Sequence, residues 1–410
     1  MPPANPSPAP VPAARLDHLD ATRAFALVLG VVFHASLSFV PVFMGWAVQD
    51  VSTGPAVSLL TTVSHSFRLE LFFLLAGLFS RGMLERHGLV GFLRSRVLRI
   101  GVPFVVGWFL LRPLLVSGWI MGATSLRGDV DILAGLLGGL RSLESLPAGL
   151  FLGSHLWFLY YLLLVTAVTL LARAVLVKAG SGGNTARGWS DELVSWLGRS
   201  PWAPGVLAIP TAAVLWFMRG WGMDTPDQSL VPHLPALGIY GGFFALGWII
   251  GRQRDRIGPI FRPNWQRALL AAAGIGTVLA LEGIGRNPGH PHFVAARVAH
   301  CLGYAMMMGA LVFLTPGIFG MLCRRPNAFV RYIADASYWI YLVHLPIVVW
   351  LQVAVAEWPL HWSFKLLLVT TTTMALALAT YDLFVRSTWL GWLPTGQRRA
   401  RVLMPARPRA

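Results

Sequence analysis

The chain has 410 residues, of which 55% are hydrophobic and only 12% charged, and its mean hydropathy is +0.62. A soluble protein would carry roughly twice that charged fraction, so a water-soluble fold is excluded. The net charge of +16 does not point to nucleic acid either, because the Lys and Arg residues fall in alternate short loops between apolar runs.

Met1 to Ala14 is a Pro/Ala-rich stretch that cannot bury a core and is expected to be a disordered tail (residues 1–14). The first apolar run follows Arg15 and Arg23. It is too long for the core of a signal peptide, so it reads as a retained membrane helix, with no cleavable leader. From there, apolar runs of bilayer-spanning length recur almost to the end. Ten spans are predicted near residues 19–43, 58–80, 99–120, 155–177, 204–219, 235–251, 267–285, 293–321, 332–355 and 364–386. The Gly-rich stretch 131–150 is shorter and reads as an outer-face loop or interfacial helix. The expected organisation is therefore an all-α, polytopic membrane domain over 15–390, followed by a basic cytoplasmic tail over 391–410.

Loop charge gives the expected orientation. Arg81, Arg86, Arg94, Arg96 and Arg99 follow the second span, and Lys178, Arg187 and Arg199 follow the fourth. Arg252, Arg254, Arg256, Arg262 and Arg267 follow the sixth, Arg324, Arg325 and Arg331 the eighth, and Arg398, Arg399 and Arg401 lie in the tail. The intervening loops are poor in Lys and Arg. This positive-inside alternation puts both termini in the cytoplasm. Cys301 and Cys323 lie on one predicted helix, roughly 33 Å apart at helical rise, so no disulfide is expected.

Ionisable groups at membrane depth read as functional by default. They are His34 in the first span, Arg68 and Glu70 in the second, Arg112 in the third, Glu282 in the seventh, Arg297 and His300 in the eighth, and His344 in the ninth. His155 sits at the outer end of the fourth. At 1.5 Å per residue, His34, Glu70 and His344 all fall near the middle of the bilayer. Arg23 and His34, eleven residues apart, share a helix face with Asp20. A neutral imidazole there can take a proton from a hydroxyl and return it to a leaving group. An Arg at the cytoplasmic mouth can hold a phosphorylated donor. Plainer readings exist for each: an interhelical hydrogen bond for a lone His, a positive-inside anchor for Arg23, an ion pair for Arg68 and Glu70. Those last two, two positions apart, face different neighbours, Arg68 with His65 and Glu70 nearer Ser66. Trp46, Trp119, Trp157 and Trp221 read as interface anchors rather than a sugar platform.

At these residues the sequence resembles the membrane acyltransferase family 3. The segment RLDHLDATRAFALVLGVVFH is similar to the family's first helix, with a basic residue and a histidine at Arg23 and His34. LELFFLLAGLF resembles the second-helix acidic signature, with Glu70 in the acidic position, though Ala76 stands where the family usually has Ser. FLRSRVLRIGVPF matches the basic stretch that follows, with Arg96, Arg99 and Pro103 in register. ASYWIYLVHLP resembles the ninth-span pattern carrying Ser337, Tyr341, His344 and Pro346. Within the family, the segments HLWFLYYLL and ALGIYGGFFALGW look most like the branch that succinylates osmoregulated periplasmic glucans.

The resemblance implies an enzyme of the bacterial inner membrane. It would move an acyl group, succinyl in that branch, from cytoplasmic acyl-CoA to hydroxyls of a periplasmic glucan or another envelope carbohydrate. His34 is then the general base or a transient acyl carrier, and the sequence leaves both open. Arg23, Arg96 and Arg99 are expected to hold CoA phosphates, and Glu70 to orient His34 or an acceptor hydroxyl. Arg68, His155, Tyr341 and His344 are expected to line the acceptor pocket, and Arg68 can also take the free carboxylate of a succinyl group. No metal and no permanently bound cofactor are expected. The alternatives are O-acetylation of a surface polysaccharide or lipid-linked sugar and, in a different class, a proton-coupled transporter.

Overall fold

The computed structural model describes residues 17–125, 130–144, 154–227, 229–323, 325, 327–388 and 402. The predicted tail at 1–14, Arg324, Arg398, Arg399 and Arg401 lie outside the described residues, as does all of the 391–410 tail except Val402.

The described chain is helical, with no β-strand among the described residues. Its helices are α1 (Asp17–Ser36), α2 (Pro55–Arg96), α3 (Val102–Thr124), α4 (Ile132–Arg141), α5 (Trp157–Lys178), α6 (Ser181–Arg199) and α7 (Ala203–Leu215), then α8 (Leu234–Ile250), α9 (Ile257–Phe261), α10 (Trp265–Gly285), α11 (Phe293–Leu322), α12 (Ala328–Val355) and α13 (Trp362–Thr380). Among the described residues, seven stretches are long and apolar enough to cross a bilayer, and α8 with Arg254–Phe261, bent by 108°, makes an eighth where the pair counts as one span. The chain is thus a polytopic all-α membrane protein. Each of the ten predicted runs is found as helix. Two of them share the stretch Pro55–Thr124, and α7 is a shorter apolar helix.

The helix ends follow local chemistry. Asn264 caps α10 by accepting from the Arg267 amide, Asn327 caps α12 from the amides of Phe329 and Val330, and His361 caps α13. Pro55 opens α2 at the position where a missing N–H costs nothing. Helices α2 and α8 cross at very short range. A methyl added at Gly77 would collide with the Phe244 carbonyl, and one at Gly247 with the Leu74 carbonyl. In a bilayer, where apolar side chains gain little by leaving lipid, such backbone proximity is what binds helices together.

Three predictions are corrected. The first span ends at Phe39, not near 43: after α1 a single tight turn, Leu37–Phe39, meets Pro41 and the chain leaves the helix. The segment between α1 and α2 folds back over the end of α1. The basic stretch after the second span is not a loop: α2 runs on to Arg96, kinking at Gly88, where φ is 64°. A π-helical turn, Val97–Gly101, then joins it to α3. The stretch after the fourth span is also helical, as α6. Cys301 in α11 and Cys323 just beyond it are both free thiols.

Candidate active site

One cavity of about 1570 Å³ penetrates the helices between α1, α2, α3, the start of α5 and α12. Eight of the nine predicted site residues line it. Arg23, Arg96 and Arg99 stand at one end, with His34, Arg68, His155, Tyr341 and His344 further in. His65, Trp221, Asp224, Thr225 and Asp227 close the other end. Burial pushes the Asp227 carboxyl, in the loop before α8, above the usual carboxylate range.

His34 stands in the last turn of α1 rather than halfway along it, because the helix stops at Ser36. Its Nδ1 lies 3.0 Å from Nε2 of His344. The lateral meeting of these two helices is what sequence depth alone could not supply. His344, predicted in the acceptor pocket, lines the cavity and also contacts His34. Its own Nδ1 lies 2.7 Å from the Tyr341 carbonyl and 3.0 Å from that of Ile340.

Pro346 explains a second contact. With no N–H, it cannot bond the carbonyl four residues back, Leu342. That carbonyl instead accepts from His155 Nε2 at 3.0 Å. The Tyr341 hydroxyl in turn donates to the His155 carbonyl at 2.8 Å. His155 and Tyr341 are therefore locked together as one piece of cavity wall between α12 and the start of α5.

The other face of His34 was missed in the sequence. The Trp46 indole, from the segment after α1, stacks on the imidazole at 5.9 Å with planes 10° apart. Gln352 holds this arrangement. Its amide nitrogen donates to the carbonyls of His34 and Ala35, each at 3.0 Å, and its oxygen accepts from Trp46 Nε1 at 2.9 Å. A fully buried Gln inside an apolar span was the available signal. The anchor reading of the tryptophans is corrected as well: Trp46, Trp119, Trp157 and Trp221 all line the cavity. Trp46 and Trp119 pack edge to face at 5.1 Å.

Glu70, expected to orient His34 or an acceptor hydroxyl, is the ninth residue, and it makes no hydrogen bond to His34. It is fully buried, is not on the cavity wall, and neither carboxylate oxygen has a hydrogen-bond partner among the described residues. Its neighbours on the electrostatic scale are Arg68, Tyr240 and Tyr304. The reason is helical phase: two positions turn the side chain by about 200°, so if Arg68 faces the cavity Glu70 cannot. Arg68 is 4% exposed, with its guanidinium 4.3 Å from the centre of the Phe33 ring and Nη1 unpartnered among the described residues.

Two of the arginines at the first end, Arg23 and Arg96, are held in place. Arg23 donates to the Ala334 carbonyl at 3.0 Å and pairs with Asp20 at 3.3 Å, tying α1 to α12. Arg96 donates to Ser80 Oγ at 2.7 Å and lies over Phe92. The remaining predicted ionisable groups make local contacts, and of these Arg112 also lines the cavity. Arg112 donates to the Ser142 carbonyl at 3.2 Å. Arg297 donates to the carbonyls of Trp216 and Met218 beyond the end of α7. Glu282 pairs with Arg286 on an exposed surface. His300 packs on Trp221.

A sequence model of the acyltransferase domain of family 3 matches residues 16–382. The chain belongs to this acyltransferase family. The match begins just before α1 and ends within the π-helical turn after α13, so it contains every wall of the cavity. Among individual relatives, the chain is 31% identical over 159 residues to the glucans biosynthesis protein C of Escherichia coli strain K12, and to that of strain SMS-3-5. Those alignments cover 39% of this chain and 39% of each relative, so the chain spans well under half the length of the curated relatives it matches. No solved structure matches the chain.

Proposed function

We propose that this family member transfers an acyl group from acyl-CoA to a hydroxyl of an envelope carbohydrate across the bacterial inner membrane, with both termini cytoplasmic. The observation that carries the reading is one continuous cavity with Arg23, Arg96 and Arg99 at one end, an aromatic and acidic end opposite, and His34 between them. Three guanidinium groups suit the phosphates of CoA. Tryptophan faces and carboxyl groups suit the C–H faces and hydroxyls of a sugar.

The chemistry assigned to His34 is general base catalysis. The acceptor O–H loses its proton to the imidazole as its oxygen bonds to the thioester carbonyl carbon. Collapse of the tetrahedral intermediate breaks the C–S bond, and the proton passes from His34 to the departing sulfur. The products are the O-acyl ester and free CoA thiol. Arg68, buried beside Phe33 with part of its fork unpartnered, favours an acyl group that itself ends in a carboxylate, such as succinyl. The naming of the E. coli relatives for glucan biosynthesis makes a periplasmic glucan the first acceptor to try.

The test is acyl transfer from radiolabelled succinyl-CoA and acetyl-CoA to β-glucan oligosaccharides in membranes containing the wild type or His34→Ala. The variant is expected to lose about 10² to 10⁴ in rate. Near-normal transfer by a correctly inserted variant removes His34 from the chemistry, and a label trapped on His34 of the wild type replaces the base with an acyl carrier.

A further inference from the structure

The His34–His344 contact admits more than proximity, because the second histidine is itself constrained. Its Nδ1 faces two backbone carbonyls, at 2.7 Å and 3.0 Å. A carbonyl oxygen can only accept, so this nitrogen must carry a hydrogen. In an uncharged imidazole the other nitrogen is then bare. Nε2 of His344 is that other nitrogen, and it lies 3.0 Å from Nδ1 of His34. Two bare nitrogens cannot face each other at that distance, so His34 donates from Nδ1. For an uncharged pair the sequence of donors has this one solution, and it leaves Nε2 of His34 with a free lone pair.

We infer that His344 is a positioning residue that fixes the tautomer of His34, making Nε2 the nitrogen that accepts the substrate proton. The inference rests on the proposed function for the word substrate, but the tautomer itself does not depend on it. The usual device for this task is a carboxylate hydrogen-bonded to the histidine. Among the described residues, the charged and titratable groups around the ring are His344, Arg68, His155 and His65, and none is a carboxylate. Glu70 is out of reach on the far side of α2. A neutral imidazole, backed by the carbonyls of its own helix, takes the place that an acid would fill.

The surroundings support a fixed ring rather than a fluctuating one. Trp46 stacks on one face of His34 and Phe33 meets it edge-on at 5.2 Å. Gln352 binds the His34 carbonyl, so the backbone and the ring are held from the same helix, α12. Once His34 takes a proton, the same His344 nitrogen accepts a hydrogen bond from an imidazolium, which is stronger than the bond it accepts from an imidazole. The dyad therefore favours the charge that forms as the hydroxyl attacks.

Two measurements test this. The first is nitrogen NMR of ¹⁵N-histidine-labelled protein in detergent or nanodiscs, with the His34 signals assigned by difference against His34→Gln. The expected result is a protonated Nδ1 and a bare Nε2 on His34 in the wild type; a proton on Nε2 instead overturns the inference, whatever the activity. The second compares His344→Gln with His344→Phe in the transfer assay, using succinyl-CoA and acetyl-CoA as donors. The Gln oxygen can still accept from His34 Nδ1 and the phenyl ring cannot. Phe is expected to lower kcat by about 10- to 100-fold with little change in KM for the donor, the range for loss of a group that orients another. Gln is expected to recover most of that loss. Equal activity of the two variants, with the His34 tautomer unchanged in both, reduces His344 to a packing residue. If neither donor supports transfer by the wild type, the proposed function falls while the NMR result stands on its own.

Discussion

The two long walls of the cavity are built on different terms. On the α1–α12 side the functional polar groups are tied to one another: His34 to His344, Gln352 to Trp46 and to the end of α1, Arg23 to Ala334. On the α2 side, Arg68 and Glu70 are just as deeply buried, yet Arg68 Nη1 and both Glu70 oxygens lack partners among the described residues. A buried polar group without a partner is costly, whereas a satisfied network rigidifies what it contains. The first wall has the character of a preorganised chemical site. The second wall has one ionisable side chain that faces the cavity, Arg68, and one that does not line it, Glu70.

Three variants probe that contrast. Arg68→Gln should have the largest effect and a selective one. Loss of a charge-assisted hydrogen bond, about 1.5–3 kcal/mol, should raise KM for succinyl-CoA about 10- to 100-fold while leaving acetyl-CoA nearly unaffected; an equal loss with both donors would make Arg68 part of the scaffold. Gln352→Leu should cost about 1–3 kcal/mol of stability by stranding buried carbonyls and the Trp46 N–H, seen as a lower melting temperature in detergent, and should lower kcat as Trp46 loses its tether. An unchanged melting temperature would mean that the network on the first wall contributes no rigidity. Glu70→Gln should have the smallest effect, less than tenfold or about 1.4 kcal/mol in transfer rate. A collapse of kcat there, in a folded variant, would bring Glu70 back into the chemistry and erase the distinction between the walls.

Much of this architecture is legible in the sequence, for physical reasons that differ by residue. Apolar runs are dictated by the bilayer, so all ten are recognisable. Helical phase correctly puts His65 and Arg68 on one face and Glu70 on another. It could not say which face meets the cavity, and the catalytic role expected of Glu70 was lost on that point. The pairing of His34 with His344 spans 310 positions, and depth arithmetic fixes only one of the three coordinates involved. Trp46 was misread because an aromatic beyond the end of a membrane helix ordinarily marks the interface; only the fold-back after Phe39 turns it inward. Gln352 was overlooked although it is the kind of buried polar group that a reading of membrane helices should stop at.

The segment carrying Trp46 is also fastened at its far end. Asp50 pairs with Lys365 of α13 at 2.7 Å, with both side chains almost wholly enclosed, and Lys365 donates again to the Ala356 carbonyl. The segment that covers His34, which is made early in synthesis, is thus bolted to α13, 315 positions later in the chain. A chain halted before residue 365 would have Gln352 to hold Trp46 but nothing to pair with Asp50 at the far end of the segment. The wall over His34 is therefore complete only when two segments 315 positions apart in the chain have met.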